Sequence, residues 1–272
     1  MPSDRVSPQN IYLTGQFQDL KDIVLEDNVN FSGKDALLIG SGGWSIFKTD
    51  TFKSYSEMYS QFFIDDTLFT DYISLRNVTF QGLHFKQPPI DISTSISNWV
   101  FPRGSYAIFG ANFNGSGWEI QDNLSIFDCE FEGFTNAVCV QAVNSEYRNN
   151  YFHDNYGAGL FFPYGLNLTV EGNTFDTLKG LTTENKQWLS VGLYCFDVFD
   201  GANISNNTFN SGTDAFGIVI LSCQRNILVS NNVFTGGNAF LIDFVERPFF
   251  SYDIVFQDNF GVENFVYNEG LL

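Results

Sequence analysis

Any chemistry in this chain falls to few groups: of 272 residues, 31 are acidic, 13 basic, two are histidines and four are cysteines. Two carboxylates held about 5–10 Å apart in unequal environments can divide the acid and base roles of a hydrolysis. Asp197, Asp200, Asp214 and Asp243 lie on or just beyond short apolar strand segments and are the candidates for such a pair. Solvation of a turn is the plainer role for each. His153, directly after Phe152, could exchange protons if carboxylates flanked it, because a nearby negative charge favours the imidazolium. His84, in Leu83-His84-Phe85, reads as a packed strand residue. Phe161, Tyr194 and Trp188 offer flat apolar faces that suit either a sugar ring or a protein surface.

The bulk properties remove several classes. A net charge of −18 with no run of Lys and Arg repels polyanions, so nucleic acid is not an expected partner. No apolar stretch reaches the roughly 18 residues of a spanning helix, so no membrane partner is expected. Cys129, Cys139, Cys195 and Cys223 are far apart without a CxxC pair and read as buried free thiols. Acidic loops at Asp65-Asp66 and from Asp197 to Asp200 admit Ca²⁺, but no EF-hand spacing is present, so no metal site and no cofactor are expected. Asn-X-Ser/Thr sequons begin at Asn30, Asn77, Asn114, Asn123, Asn167, Asn203 and Asn206, which suits an extracellular or cell-surface protein.

The elements that must position these groups come from a repeat ending in Phe. Its copies are Asn77-Val78-Thr79-Phe80, Asp128-Cys129-Glu130-Phe131, Asn149-Asn150-Tyr151-Phe152, Gly172-Asn173-Thr174-Phe175, Asn206-Asn207-Thr208-Phe209, Asn231-Asn232-Val233-Phe234 and Gln257-Asp258-Asn259-Phe260. Five residues before each Phe stands an apolar residue, from Leu75 and Ile126 to Val229 and Val255. After each Phe comes a second apolar strand, often opened by Gly, as in Gly159-Leu160-Phe161-Phe162 and Gly217-Ile218-Val219-Ile220. From Phe131 the spacings are 21, 23, 34, 25 and 26 residues, one solenoid turn apiece with an insertion in the longest. Short strands without intervening amphipathic helices exclude βαβ units and leave an all-β parallel solenoid. Stacked turns bring equivalent residues about 4.8 Å apart. The Phe residues then form one inward column, and Asn150, Asn173, Asn207 and Asn232, continued by Asp258, form a second column bonded through their amides.

This Asn-Asn-Thr-Phe repeat followed by Gly-Ile-X-Ile resembles the repeats of the pectin-lyase-like superfamily from about Tyr72 to Phe265. The resemblance implies one right-handed parallel β-helix over residues 1–272, with about eight coils: a looser one at 11–44 and regular ones at 72–268. Loop excursions are expected at 45–71, 86–105 and 179–188, where long loops on a regular scaffold tend to carry binding.

In that superfamily the groove runs over the outer face of the strand after Phe. Strand alternation predicts that Val138, Leu160, Leu193, Ile218 and Phe240 face inward. The outward column is then Leu38, Cys139, Phe161, Tyr194, Val219, Leu241 and Val266. It is apolar throughout and calls for cover by loops, a subunit or a ligand. The superfamily's lyases need Arg or Lys on this face, and these strands show neither. Gly212-Thr213-Asp214-Ala215 resembles the Gly-Asp-Asp segment of polygalacturonase-like hydrolases, but the Gly-His-Gly and Arg-X-Lys segments are missing. By register His153 stacks between Glu132 and Asp176, away from the groove, as a surface charge ladder, and Arg148 beside Glu171 is a pair of the same kind. The expected function is recognition, without a recognisable catalytic set, of a glycan or protein subunit by Phe161, Tyr194 and Trp188. The alternatives are a polysaccharide hydrolase using the aspartates and a structural subunit that self-associates.

Overall fold

The computed structural model describes residues 7–41, 45–49, 72–88, 106–110, 119–178, 181–183, 186–188, 190–195, 199–212, 215–221, 225–236, 238–243, 253–261 and 265–268. All regular structure among them is β: 24 strands form one hydrogen-bonded network of parallel ladders, beside one antiparallel two-stranded hairpin.

The corner between the first and second strand of each coil shows why these residues were chosen. Its leading residue has a left-handed backbone: φ is 54° at Asp128, 56° at Asn149, 67° at Gly172, 58° at Asn206, 55° at Asn231 and 51° at Asp258. Asn, Asp and Gly are the residues that enter this region at least cost. The next residue is the ladder Asn from Asn150 onward, whereas after Asp128 it is Cys129, whose N–H donates to Asn150 Oδ1. Asn173 donates its side-chain amide to the Tyr147 carbonyl at 2.9 Å and to Asn207 Oδ1 at 3.0 Å, while its own Oδ1 accepts from the backbone and side chain of Asn150. The pattern repeats through Asn207 and Asn232, which are fully buried, so each corner satisfies polar groups that water cannot reach.

Three parallel sheets follow from that corner. The first contains Glu119–Phe127, Glu146–Arg148, Thr169–Glu171, Phe199–Ser205, Arg225–Ser230 and Ile254–Gln257. The second, after the corner, contains Glu130–Glu132, Tyr151–His153, Thr174–Leu178, Thr208–Ser211 and Val233–Thr235. The third is the sheet whose outer face is expected to carry the groove, the groove sheet. Among the described residues its nine strands are Ile23–Val24, Ser45–Lys48, Tyr106–Gly110, Val138–Val143, Ala158–Leu166, Ser190–Cys195, Ala215–Leu221, Asn238–Asp243 and Phe265–Asn268. That is one row more than the eight coils expected, because residues 9–24 already form a coil, with Phe17 placed against Leu38.

The Phe column runs Phe85, Phe131, Phe152, Phe175, Phe209, Phe234 with ring centroids 4.8–4.9 Å apart and ring planes within 7° of parallel. Strand spacing and ring stacking therefore select the same distance. The Gly residues opening the groove strands make room for it. A Cβ on Gly159, Gly192 or Gly217 would stand 2.6–2.7 Å from the ring of Phe175, Phe209 or Phe234.

Five expectations need correction. Phe80 is not in this column: it pairs with Phe31 and Ile126, and Phe85 is the residue above Phe131. The corner explains the shift: of the two left-handed residues in that coil, Asn77 bonds Asn28 and Asn123 in a separate column, and Gly82, three before Phe85, stands at the corner before the second sheet. Phe260 does not stack either: it bridges Val233, is 64% exposed, and leaves Gly261 where the ring would be. In the same coil Asp258 is the left-handed corner, and Asn259, not Asp258, continues the ladder by accepting from Asn232. Leu38 belongs to the second sheet beside Phe85 and is buried, so it is absent from the groove column. The strand Ser45–Lys48 takes that row instead, so the excursion expected at 45–71 begins beyond it and falls largely outside the described residues. The excursion at 86–105 likewise lies mostly outside them. The one at 179–188 forms the hairpin Leu181–Thr183 with Lys186–Trp188.

Candidate functional site

The groove column is assembled by register as Lys48, Phe109, Cys139, Phe161, Tyr194, Val219, Leu241 and Val266. Lys48 corrects the expectation that no cation lies on these strands. The opposite side of the same strands places Ile108, Val138, Leu160, Leu193, Ile218 and Phe240 fully in the core, as alternation requires. Outside, Phe109, Cys139 and Val219 are buried, whereas Phe161 and Tyr194 are half-buried and stack on each other at 4.8 Å with planes 14° apart. Phe161 packs on Tyr106, Phe109 and Cys139, and Tyr194 on Val191, Phe216 and Val219. Two predicted ligand-facing rings thus meet in one aromatic strip.

Trp188 is placed by its backbone, paired with Leu181 in the hairpin that enters the groove strand Ser190–Cys195. Of the aspartates, Asp200 is exposed on the first sheet, where its carboxylate accepts from Asn226 at 2.7 Å. Asp197 and Asp214 lie outside the described residues, and Asp243 is placed only by backbone pairing with Leu221 and Asn268. No pair of these carboxylates is formed among the described residues. Cys129, Cys139 and Cys195 are buried free thiols as expected, and Cys223 lies outside the described residues. Burial holds all three thiols in the neutral form, pushing Cys129 up to about 12.

The second sheet carries a constellation the motifs did not reveal. Register aligns His84 with Glu130, and Lys86 with Glu132 and His153. Four side chains converge there: the ligand atoms of His84, Glu130, Glu132 and His153 all lie within 4.8 Å of one another. His153 Nε2 meets Glu130 at 3.0 Å and its Nδ1 meets Asp154 at 3.0 Å. His84 Nε2 stands 3.5 Å from Glu130 and 3.3 Å from Glu132. Lys86 Nζ holds the other oxygen of Glu132 at 2.6 Å. Partial burial of His153 disfavours its charged form, but the bonds to Asp154 and Glu130 and the charges of Glu130 and Glu132 outweigh it and raise its pKa. Partial burial of Glu132 works upward, and Lys86 with the two imidazoles pulls its carboxyl below the ordinary value.

The signal for this cluster was present in the sequence. Aligning on Phe85 instead of Phe80 puts His84 directly over Glu130. Elsewhere the surface pair of Arg148 with Glu171 forms as expected, joined by Glu146 at 2.8 Å.

The family described as right handed beta helix region matches residues 91–259, more than half of the chain, and the chain belongs to that family. Solved structures similar to it include PfbA, a surface adhesin of Streptococcus pneumoniae, at 13% identity over 95% of this chain and 85% of that one, with a TM-score of 0.48. Another is the A-module of the Azotobacter vinelandii mannuronan C-5 epimerase AlgE6, at 14% identity over 97% and 88%, with a TM-score of 0.40. A third is a tailspike protein mutant of E. coli bacteriophage HK620 in complex with pentasaccharide, at 13% identity over 96% and 54%, with a TM-score of 0.41. No curated protein matches the chain.

Proposed function

We propose that this chain is an extracellular or cell-surface β-helix that binds a carbohydrate on its groove face, with Phe161 and Tyr194 as the stacking platform and Trp188 at its edge. The observation that carries the reading is the half-buried Phe161–Tyr194 stack, set among outward neighbours that are themselves covered. An aromatic strip receives the C–H face of a sugar and supplies no group that would cleave it. The ligand is neutral, since Lys48 stands four rows from Tyr194 and the rows between carry Phe109, Cys139 and Phe161. The hydrolase reading has less support, because Asp200 is engaged by Asn226 on another sheet.

The test is a glycan array of neutral and acidic polysaccharides read beside a reducing-sugar release assay. Binding without release is expected. Tyr194→Ala should weaken that binding roughly 2- to 10-fold, the worth of one aromatic contact at about 0.5–1.5 kcal/mol. Release of reducing ends, or binding indifferent to both Phe161→Ala and Tyr194→Ala, sinks the proposal. Light scattering on the same sample reads self-association, the outcome expected if this face receives a second copy instead.

A further inference from the structure

The geometry points to a transition-metal site on the second sheet, in which His84, Glu130, Glu132 and His153 bind one Zn²⁺-like ion. Three successive coils supply the ligands: His84 from Tyr72–Lys86, the two glutamates from Glu130–Glu132, and His153 from Tyr151–His153. Residues two apart on a strand face the same way, so Glu130 and Glu132 both project outward around Phe131, and parallel register brings an imidazole from the coil on either side.

The spacing suits a metal. Four-coordinate zinc with bonds of about 2.0–2.1 Å has ligand atoms roughly 3.3 Å apart along each edge of its tetrahedron. The contacts found are 3.0, 3.3 and 3.5 Å. The remaining edges, none longer than 4.8 Å, close to the tetrahedral length by rotation of the glutamate side chains. The donor set of two imidazoles and two carboxylates selects Zn²⁺, Co²⁺, Ni²⁺ or Cu²⁺ over Ca²⁺ and Mg²⁺, which prefer oxygen alone.

The surroundings orient the ligands as second partners of metal sites do. Asp154 engages His153 Nδ1, leaving Nε2 directed at Glu130. Tyr151 stacks on the His153 ring at 4.5 Å, fixing its plane, and is itself held by a hydroxyl bond to Asp176. Lys86 occupies Glu132 Oε1, so Oε2 is the oxygen turned to His84. His84 Nε2 is shielded from solvent and faces both carboxylates without an aligned hydrogen bond to either. A depression of about 260 Å³, bordered by Asp35, Leu37, His84, Asp128 and Glu130, gives an ion and its water a way in.

The test uses the full chain without an affinity tag, titrated with Zn²⁺ by calorimetry and with Co²⁺ by visible absorption. One ion per chain, with the intense bands of low-symmetry four-coordinate Co²⁺, is expected. His84→Gln and His153→Gln should each abolish this binding while leaving circular dichroism and the metal-free melting temperature unchanged. Asp154→Asn should weaken binding by about 10- to 100-fold, as loss of an orienting partner does. Absence of stoichiometric binding, or binding that survives both histidine substitutions, overturns the site and leaves the cluster as ion pairs bridged by protons. Glycan binding by the groove is unaffected by chelator in either case, so the two proposals fail separately.

Discussion

The middle coils and the two ends of this molecule use the same residues to different effect. Between Glu130 and Thr235, the left-handed corner, the ladder Asn and the stacked Phe recur together. In the early coils Phe31 and Phe80 stack with each other at 5.1 Å but one column away, and in the last coil Phe260 faces outward. The contrast teaches that the corner, not the Phe, sets the phase of a coil. A ring three residues after the left-handed residue of this particular corner joins the stack, as Phe85 does after Gly82 and Phe234 after Asn231, whereas Phe80, three after left-handed Asn77 in the separate column of Asn28, Asn77 and Asn123, does not. A ring two residues after it, as in Asp258-Asn259-Phe260, does not.

The largest effect should separate middle from end most sharply. Phe175, fully buried between Phe152 and Phe209, should lose about 3–5 kcal/mol of stability on substitution by Ala, read as a shift of the denaturant midpoint. Next comes Asn173→Ala. It removes bonds to Tyr147, Asn207 and Asn150 and strands buried partners, at a cost of about 1–3 kcal/mol by the same measurement. The smallest is Phe260→Ala, which should change stability by no more than about 0.5 kcal/mol because the ring is already in solvent. If Phe260→Ala were as costly as Phe175→Ala, the distinction between the coils would collapse.

Much of this was legible from spacing. The inward and outward sides of the groove strands follow from period-two alternation, and they place Phe161 beside Tyr194 without any knowledge of the fold's ends. The Asn ladder from Asn150 to Asn232 was equally plain, because four coils of 21 to 34 residues repeat the same corner. Legibility failed where a coil carries more than one candidate Phe. Phe80 and Phe85 are five residues apart, the same interval that separates a Phe from the apolar residue preceding it, so either could open the column. Choosing Phe80 hid His84 from its partners.

Local sequence by itself determined the coil, the stacked rings and the bonded corners of the middle, since each depends on residues a few positions apart that repeat at a near-constant interval. Only the tertiary structure decided how coils separated by long insertions line up, because register across them is a non-local pairing that no single strand encodes. That decision brought His84 over Glu130 and Lys48 into the groove row.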